Sequence, residues 1–302
     1  MKGGMNSELE FPYRRFTRRP LLSVLIPAYE ALGHLTRAVR SCLHAARGDF
    51  DLQIVVAPDD ACDYRGLLRE SFGVQDRICV LEGDWLCTGP GAARNRALAY
   101  AEGDYVFALD ADDQVRESFF IQAMAHARDK GVCNAGMDYI QENGQRLRRV
   151  YAGDFVTSEA LICEFASSKC LMRADLCAQW ASGYAEDVAH DLAAVVAAGG
   201  VCPNVPGGYA VHLNAGSMCT QAEEVVQEGY ACLLRCVLAN PAAFGFDSTN
   251  ALQALQRLVR TRLLMSERFE QSTRQPTAAS YHQFVQKFVR RPSRVQRSEA
   301  VH

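Results

Sequence analysis

Apolar and polar positions along the first 110 residues fall into blocks whose period switches between that of strands and that of helices. Leu21-Leu22-Ser23-Val24-Leu25-Ile26 is a short, nearly unbroken apolar run. Such a run suits a strand covered on both faces, as in a parallel sheet, and Pro27 is expected to stop it. Leu32, Leu35, Val39, Cys42, Leu43 and Ala46 then recur at three- and four-residue steps, which predicts a helix ended by Gly48. The alternation continues. Residues 53–57 read as a strand, 64–72 as a helix closed by Gly73, 78–81 as a strand, 92–102 as a helix closed by Gly103, and 105–109 as a strand. Strands and helices alternating at this spacing predict βαβ units, hence a parallel, layered α/β sheet.

A helix is expected from just after Asp113 to about Lys130, closed by Gly131, and Asn143-Gly144 marks a hairpin turn between 137–141 and 145–151. Residues 169–173 and 209–213 read as strands. Val188, Leu192, Val195 and Val196 predict a helix from near Glu186 to Gly199. From Gln221 onward the pattern is helical, with an apolar stripe at Leu252, Leu255, Leu258 and Val259. The expected organisation is a lead-in over 1–20, an α/β domain over 21–220, and a helical extension with a basic tail over 221–302.

Composition narrows the class. The chain has 302 residues, 49% of them hydrophobic, enough for a sizeable core, and its net charge of −3 argues against bulk nucleic-acid binding. The 12 cysteines are scattered singly, with Cys232 and Cys236 the nearest pair and no Cys-x-x-Cys. They read as small buried hydrophobes in a reducing cytoplasm, not as a zinc site or a disulfide framework. No stretch has the length of a membrane span and no signal core opens the chain, so a cytoplasmic protein is expected. Phe11, Tyr13 and Phe16 stand among Arg14, Arg15, Arg18 and Arg19, and Phe284, Val285, Phe288 and Val289 stand in a basic C-terminal stretch. Basic and aromatic residues so mixed suit a peripheral contact with the anionic inner face of the cell membrane.

The chemistry lies after the strands. Asp59, Asp60 and Asp63 follow the second strand, and Asp110, Asp112 and Asp113 follow the fourth. In a parallel α/β sheet both sets lie on the edge where ligands bind. A lone Asp favours turns and helix caps, but carboxylates converging in one cleft repel each other and call for a cation. Hard oxygen ligands without a His/Cys cluster point to magnesium or manganese, Mg2+ or Mn2+, arriving with the phosphates of a nucleotide.

The sequence here resembles the family 2 glycosyltransferases of the GT-A fold. Ser23-Val24-Leu25-Ile26-Pro27-Ala28-Tyr29 is similar to their first strand and nucleoside loop, and Pro58-Asp59-Asp60-Ala61-Cys62-Asp63 to their second acidic loop. Ala92-Ala93-Arg94-Asn95-Arg96-Ala97 is similar to their Ala-Arg-Asn segment, Leu109-Asp110-Ala111-Asp112-Asp113 to their metal motif, and Gly183-Tyr184-Ala185-Glu186-Asp187 to their catalytic Glu-Asp pair. Tyr209-x-x-His212 with Gly216-Ser217-Met218 resembles a closing motif on the acceptor side. The resemblance covers about residues 21–220 and rests on the order of the pieces, each of which is common alone.

It implies a GT-A fold, a mostly parallel central sheet flanked by helices, with a helical C-terminal extension. It implies a single inverting transfer from a nucleotide-sugar donor, a UDP-sugar, to a hydroxyl of a glycan or lipid-linked acceptor. By resemblance Pro27, Tyr29 and Asp59 contact the nucleoside, with Glu30 and Asp60 in the same loops. Arg94 sits near the nucleotide, Asp110 faces the ribose or metal-bound water, Ala111 belongs to the donor nucleotide site, and Asp112 binds the metal with Asp110. Asp187 is the general base beside Glu186, and His212 is a further metal ligand or touches the diphosphate. His190 has no motif behind it and reads as structural. Glu30 stands where the family often has Asn, Pro58 and Asp60 alter its Asp-Asp-Gly-Ser loop, and Ala210 replaces a frequent Arg. These departures keep open a catalytically weak or inactive nucleotide-sugar or glycan-binding module. A sugar nucleotidyltransferase is the further alternative, although Pro27-Ala28-Tyr29-Glu30 lacks its Gly-rich basic loop. The Gln-x-x-Arg-Trp motif of processive members is absent.

Overall fold

The computed structural model describes residues 19–213, 223–272 and 277–289. The Gly216-Ser217-Met218 segment, Gln221 and the basic-aromatic residues Phe11 to Arg18 lie outside the described residues. Strands β1 (Leu21–Ala28), β2 (Asp51–Pro58), β3 (Ile78–Val80) and β4 (Tyr105–Ala108) are parallel, in the order β3-β2-β1-β4. Helices α1 (Leu35–Ala45), α2 (Tyr64–Phe72) and α3 (Pro90–Ala99) connect them. The apolar runs are near-continuous because both faces are covered. Val24, Ile26, Ile54 and Val56 join the large core with α1, whereas Leu25, Val55 and Ala57 face Ala93 and Ala97 of α3.

Two boundaries differ from expectation. Strand β1 runs through Pro27 to Ala28, because beyond Leu25 it is paired only with β2 and a missing amide proton leaves no gap in a ladder. Helix α1 starts at Leu35; Leu32 lies in an exposed turn, and the chain reverses over 31–34 through amide bonds back to the Ala31 carbonyl.

The second half adds β5 (Gln114–Val115), α4 (Phe119–Lys130), β6 (Val132–Ile140), β7 (Arg146–Val150), β8 (Phe155–Thr157), α5 (Ser158–Cys163), β9 (Cys170–Arg173), α6 (Glu186–Ala197) and β10 (Val201–His212). The main sheet continues β4-β9-β6-β10-β5, so antiparallel pairs enter beyond β4. The helix expected after Asp113 begins only at Phe119, since Gln114 and Val115 pair with Ala210 and Tyr209. Strand β10 starts eight residues before the expected 209; Pro203 stands opposite Phe155 of β8, and Pro206 and Gly207 are absorbed where the register with β6 shifts between Val205 and Tyr209.

Helices α7 (Glu223–Ala239), α8 (Thr249–Ser272) and α9 (Ala278–Val289) follow. Leu255, Leu258 and Val259 of α8 belong to the same buried cluster as Leu22 of β1 and Leu192 of α6. Val285 and Phe284 of α9 pack with Phe165 and Met265, so these two apolar side chains are engaged inside the protein. No helix among the described residues is long and apolar enough to cross a membrane. Cys42, Cys133, Cys170 and Cys202 are buried as expected of small hydrophobes, but Cys79 and Cys87 are exposed.

Candidate active site

Strands β1, β2, β4, β6 and β10 point the same way, and β9 alone runs against β4 and β6 between them. The residues after β1, β2, β4 and β10 therefore meet on one edge with the residues that precede β9. A cavity of about 750 Å³ opens there. Pro27, Tyr29, Glu30 and Asp59 line it with Arg94, Asp110, Ala111, Asp112, Glu186, Asp187 and His212. Of the residues singled out from sequence, Asp60 does not reach this wall. It stands behind it, with Oδ2 accepting from the Glu30 amide and, at 2.8 Å, from the Tyr64 hydroxyl, and Oδ1 accepting from the Cys62 amide. That clamp holds Glu30 at φ 48, a left-handed conformation unfavourable for a side-chain-bearing residue.

Asp59 is on the wall but already occupied. It accepts from the Thr88 hydroxyl, from the Gly89 amide at 2.8 Å and from Arg96 at 2.8 Å. Burial raises its carboxyl, and the Thr88 and Arg96 bonds outweigh this and leave it below the usual range. Arg96, stacked 4.8 Å over Trp85, was not singled out from sequence.

Several charged side chains here form an alternating row. Arg94 of α3, buried with its side chain 4% exposed, binds Glu186 through Nη1 and Asp110 through Nη2 at 2.7 Å. Lys169, directly before β9 and 2% exposed, bonds Asp110 at 3.0 Å and Asp187 at 2.7 Å. Glu186, Arg94, Asp110, Lys169 and Asp187 thus form one chain of opposite charges in which each cation bridges two carboxylates. Buried charges persist only when paired in this way. Burial raises the Asp110 carboxyl, but Lys169 and Arg94 overcome this and press it well below the carboxylate range. Asp187 follows the same balance, lowered by Lys169 and then Arg94 against the cost of burial. Glu186 goes the other way: burial raises it more than Arg94 lowers it. Both Asp110 oxygens face cations, so it acts first as an anchor for them.

Lys169 was missed as a site residue because the strand after it was read without a direction. The signal was present: the chain has only four lysines, and this one opens an apolar strand. Running β9 antiparallel to β4 places the residue before β9 beside the residues after β4.

Asp112 and His212 both line the cavity and bring to it a carboxylate and an imidazole, the kinds of group that hold a cation. His212 Nε2 pairs with Gln114 Oε1 at 2.8 Å, which assigns the proton to Nε2 and leaves a lone pair on Nδ1. Burial and the charges of Arg37 and Arg116 push this imidazole down to about 4, so it is neutral at pH 7. Its backbone amide donates to Asp113 at 2.8 Å. Asp113 is raised well above the carboxylate range by burial and by Asp112 and Asp110. Among the described residues no group of three or more His, Cys, Asp or Glu is disposed to hold a metal. A carboxylate and an imidazole with the remaining positions left to phosphate and water fit magnesium or manganese.

Asp187 sits in the first turn of α6, whose preceding residue Ala185 has φ 57. Gly183 permits the approach of α7, since a Cβ there would lie 2.5 Å from the Gly229 carbonyl oxygen. Behind the pair, Ser168 donates to Asp191 at 2.7 Å, Asp191 meets His190 at 3.1 Å, and His190 stacks on Trp180 at 4.0 Å. His190 is internal, as read from the sequence.

The model of the family described as glycosyl transferase family 2 matches residues 23–174, half of the chain, which run from β1 through β9 and carry Arg94, Asp110, Asp112 and Lys169, with Glu186 and Asp187 beyond the match. The chain belongs to that family. Its similarity to individual relatives is partial. The minor teichoic acid biosynthesis protein GgaB of Bacillus subtilis is 31% identical over 32% of this chain and 11% of its own length. Glycosyltransferase GlyG of Streptococcus pneumoniae is 26% identical over 48% of both chains. The matches thus span under half the length of these curated relatives. The crystal structure of residues 1–349 of S. aureus TarS in complex with UDP-GlcNAc superposes with a TM-score of 0.58 at 17% identity, covering 89% of this chain and 91% of that one. That likeness shows the GT-A fold of this chain, including its C-terminal helices.

Proposed function

We propose that this protein transfers a single sugar from a UDP-sugar to a hydroxyl of a glycan or lipid-linked acceptor, with inversion at the anomeric carbon. The observation that carries this reading is the charge row ending in Asp187 on the wall of the cavity that also holds Tyr29, Asp112 and His212. The crystallised TarS complex with UDP-GlcNAc supports a UDP-sugar as donor. Pro27, Tyr29 and Asp59 border the nucleoside end, and Arg96 and Gly89 hold Asp59 in place there.

Asp112 and His212 would hold magnesium or manganese. The ion, when bound, would neutralise charge gathering on the departing nucleoside diphosphate. Asp187 accepts the proton of the acceptor hydroxyl as its oxygen bonds to the anomeric carbon from the face opposite the diphosphate. The bond from that carbon to the diphosphate oxygen breaks, and its electron pair leaves with UDP. Direct displacement from the opposite face inverts the configuration. Lys169 keeps Asp187 ionised and able to accept a proton, at the cost of making it a weaker base than a free carboxylate. Transfer of the proton late in the step, when the hydroxyl has become acidic, suits a base of this kind.

A panel of UDP-sugars incubated with the protein and manganese, assayed for UDP release, tests this reading. One donor should be consumed, and Asp187→Asn should lower its rate by about 10²–10⁴-fold. No turnover of any donor, with intact UDP binding, would replace the reading with a nucleotide-sugar-binding module.

A further inference from the structure

The cavity also reaches the C-terminal helices, where Tyr230 of α7, Arg262 of α8 and Tyr281 and His282 of α9 line it with Tyr184. Among the described residues seven buried side-chain polar atoms have no hydrogen-bond partner, and four of them belong to one neighbourhood: Arg148 Nη1, Tyr151 Oη, Arg262 Nε and His282 Nδ1. All four residues are more than nine-tenths buried. They are close enough that the charges of Arg148 and Arg262 both act on Tyr151 and on His282. Buried polar atoms are normally satisfied, so orphans gathered in one neighbourhood mark a missing partner, and Arg262 and His282 are the two of these residues that line the cavity.

The charge balance says what kind of partner. Arg148 is paired with Glu164 at 3.1 Å. Arg262 donates Nη2 to the carbonyls of Leu161 at 3.3 Å and Ala166 at 2.7 Å, and among the described residues it makes no ion pair. His282, tilted against Tyr139 with ring centroids 4.0 Å apart, is neutral, pushed down to about 3 by burial and by the two arginines. The neighbourhood therefore holds one unbalanced positive charge. Water would satisfy the donors but would leave that charge buried and unpaired, an expensive state. An oxyanion satisfies both, since guanidinium and a neutral imidazole N–H both donate to its oxygens.

We propose that this end of the cavity binds an anionic group, a phosphate or a carboxylate, carried by the acceptor sugar, with Arg262 and His282 as its specificity-determining residues. The proposal rests on the glycosyltransferase reading of the same cavity. It adds that the acceptor is a charged glycan and not a neutral one.

The test uses the full chain with UDP and manganese present in excess, so that the donor end is filled. Glucose, glucose 6-phosphate and glucuronate are the probes, titrated by calorimetry. At least one of the anionic sugars should bind about tenfold or more tightly than glucose, and the two distinguish a phosphate from a carboxylate site. Arg262→Gln should abolish that preference and leave UDP affinity unchanged. Equal binding of the three sugars, or an unchanged preference in Arg262→Gln, overturns the proposal. If that variant does not fold, ring-proton NMR of the wild type decides. The His282 signals, assigned by their loss in His282→Gln, should shift with an anionic sugar and stay fixed with glucose; signals unmoved by all three overturn it. Failure of UDP to bind while an anionic sugar still shifts His282 would remove the donor reading and leave this site standing.

Discussion

Lys169 touches both the aspartate that follows β4 and the proposed base, and both contacts require its positive charge. Lys169→Met removes the ammonium that holds Asp187 and Asp110 ionised, so both carboxyl pKa values should rise. The lowered Asp187 predicts a wild-type acid limb of the pH–rate profile below the ordinary aspartate value of about 3.9, and in the variant that limb should move toward neutral pH. A limb that stays in place would mean that Lys169 does not govern Asp187. The same variant leaves two carboxylates without their cation, which costs about 3–5 kcal/mol in urea unfolding at pH 7. At this scale the sequence was legible where chemistry clusters in short motifs. Arg94, Asp110, Asp112, Glu186, Asp187 and His212 all reach one cavity. Asp60 was misplaced because two adjacent aspartates look alike until the chain shows which one turns back to its own backbone. Lys169 was not seen because its partners lie 59 and 18 residues away and only the strand direction brings them together.

Elements set the spacing between those residues. Helix α3 approaches the segment before α6 so closely that a Cβ at Gly91 would lie 2.5 Å from the Ala181 carbonyl oxygen. Gly91→Ala should therefore push that segment away, cost about 1–3 kcal/mol and stretch the Arg94–Glu186 pair. Gly183→Ala meets the backbone of α7 and adds strain at φ 124. For this variant, donor hydrolysis should fall while UDP affinity holds, because the loop carries Asp187 and not the nucleoside contacts. Comparing the two activities of each variant checks this. Helices and parallel strands were legible because their apolar periods are strong. The two-residue β5 and the proline-containing first half of β10 were not, because their pairing is decided by partners far along the chain.

The described protein has one large core, running from Leu22 through α6 to Val259 of α8. Such a core predicts a single cooperative transition, with far-UV and near-UV signals coinciding during urea unfolding. Its pH dependence follows from opposite shifts. Asp110 and Asp187 are lowered, so their contribution is complete above the unfolded value of about 4 and is lost as pH falls through the folded values. His190 is raised to about 9, with burial opposed by the Asp191 and Cys177 bonds. Its contribution is complete below the unfolded value of about 6.5 and is lost as pH rises toward 9. Urea midpoints should therefore decline between pH 6.5 and 9 in the wild type, and that decline should be absent in His190→Gln.

The most direct test of the donor site is a calorimetric titration with UDP, with and without manganese, on the wild type, Asp112→Ala and Asp187→Asn. Binding that requires manganese, disappears in Asp112→Ala and persists in Asp187→Asn is predicted. UDP binding that ignores both the metal and Asp112, or no binding at all, would contradict a metal-assisted nucleotide site between Tyr29 and His212.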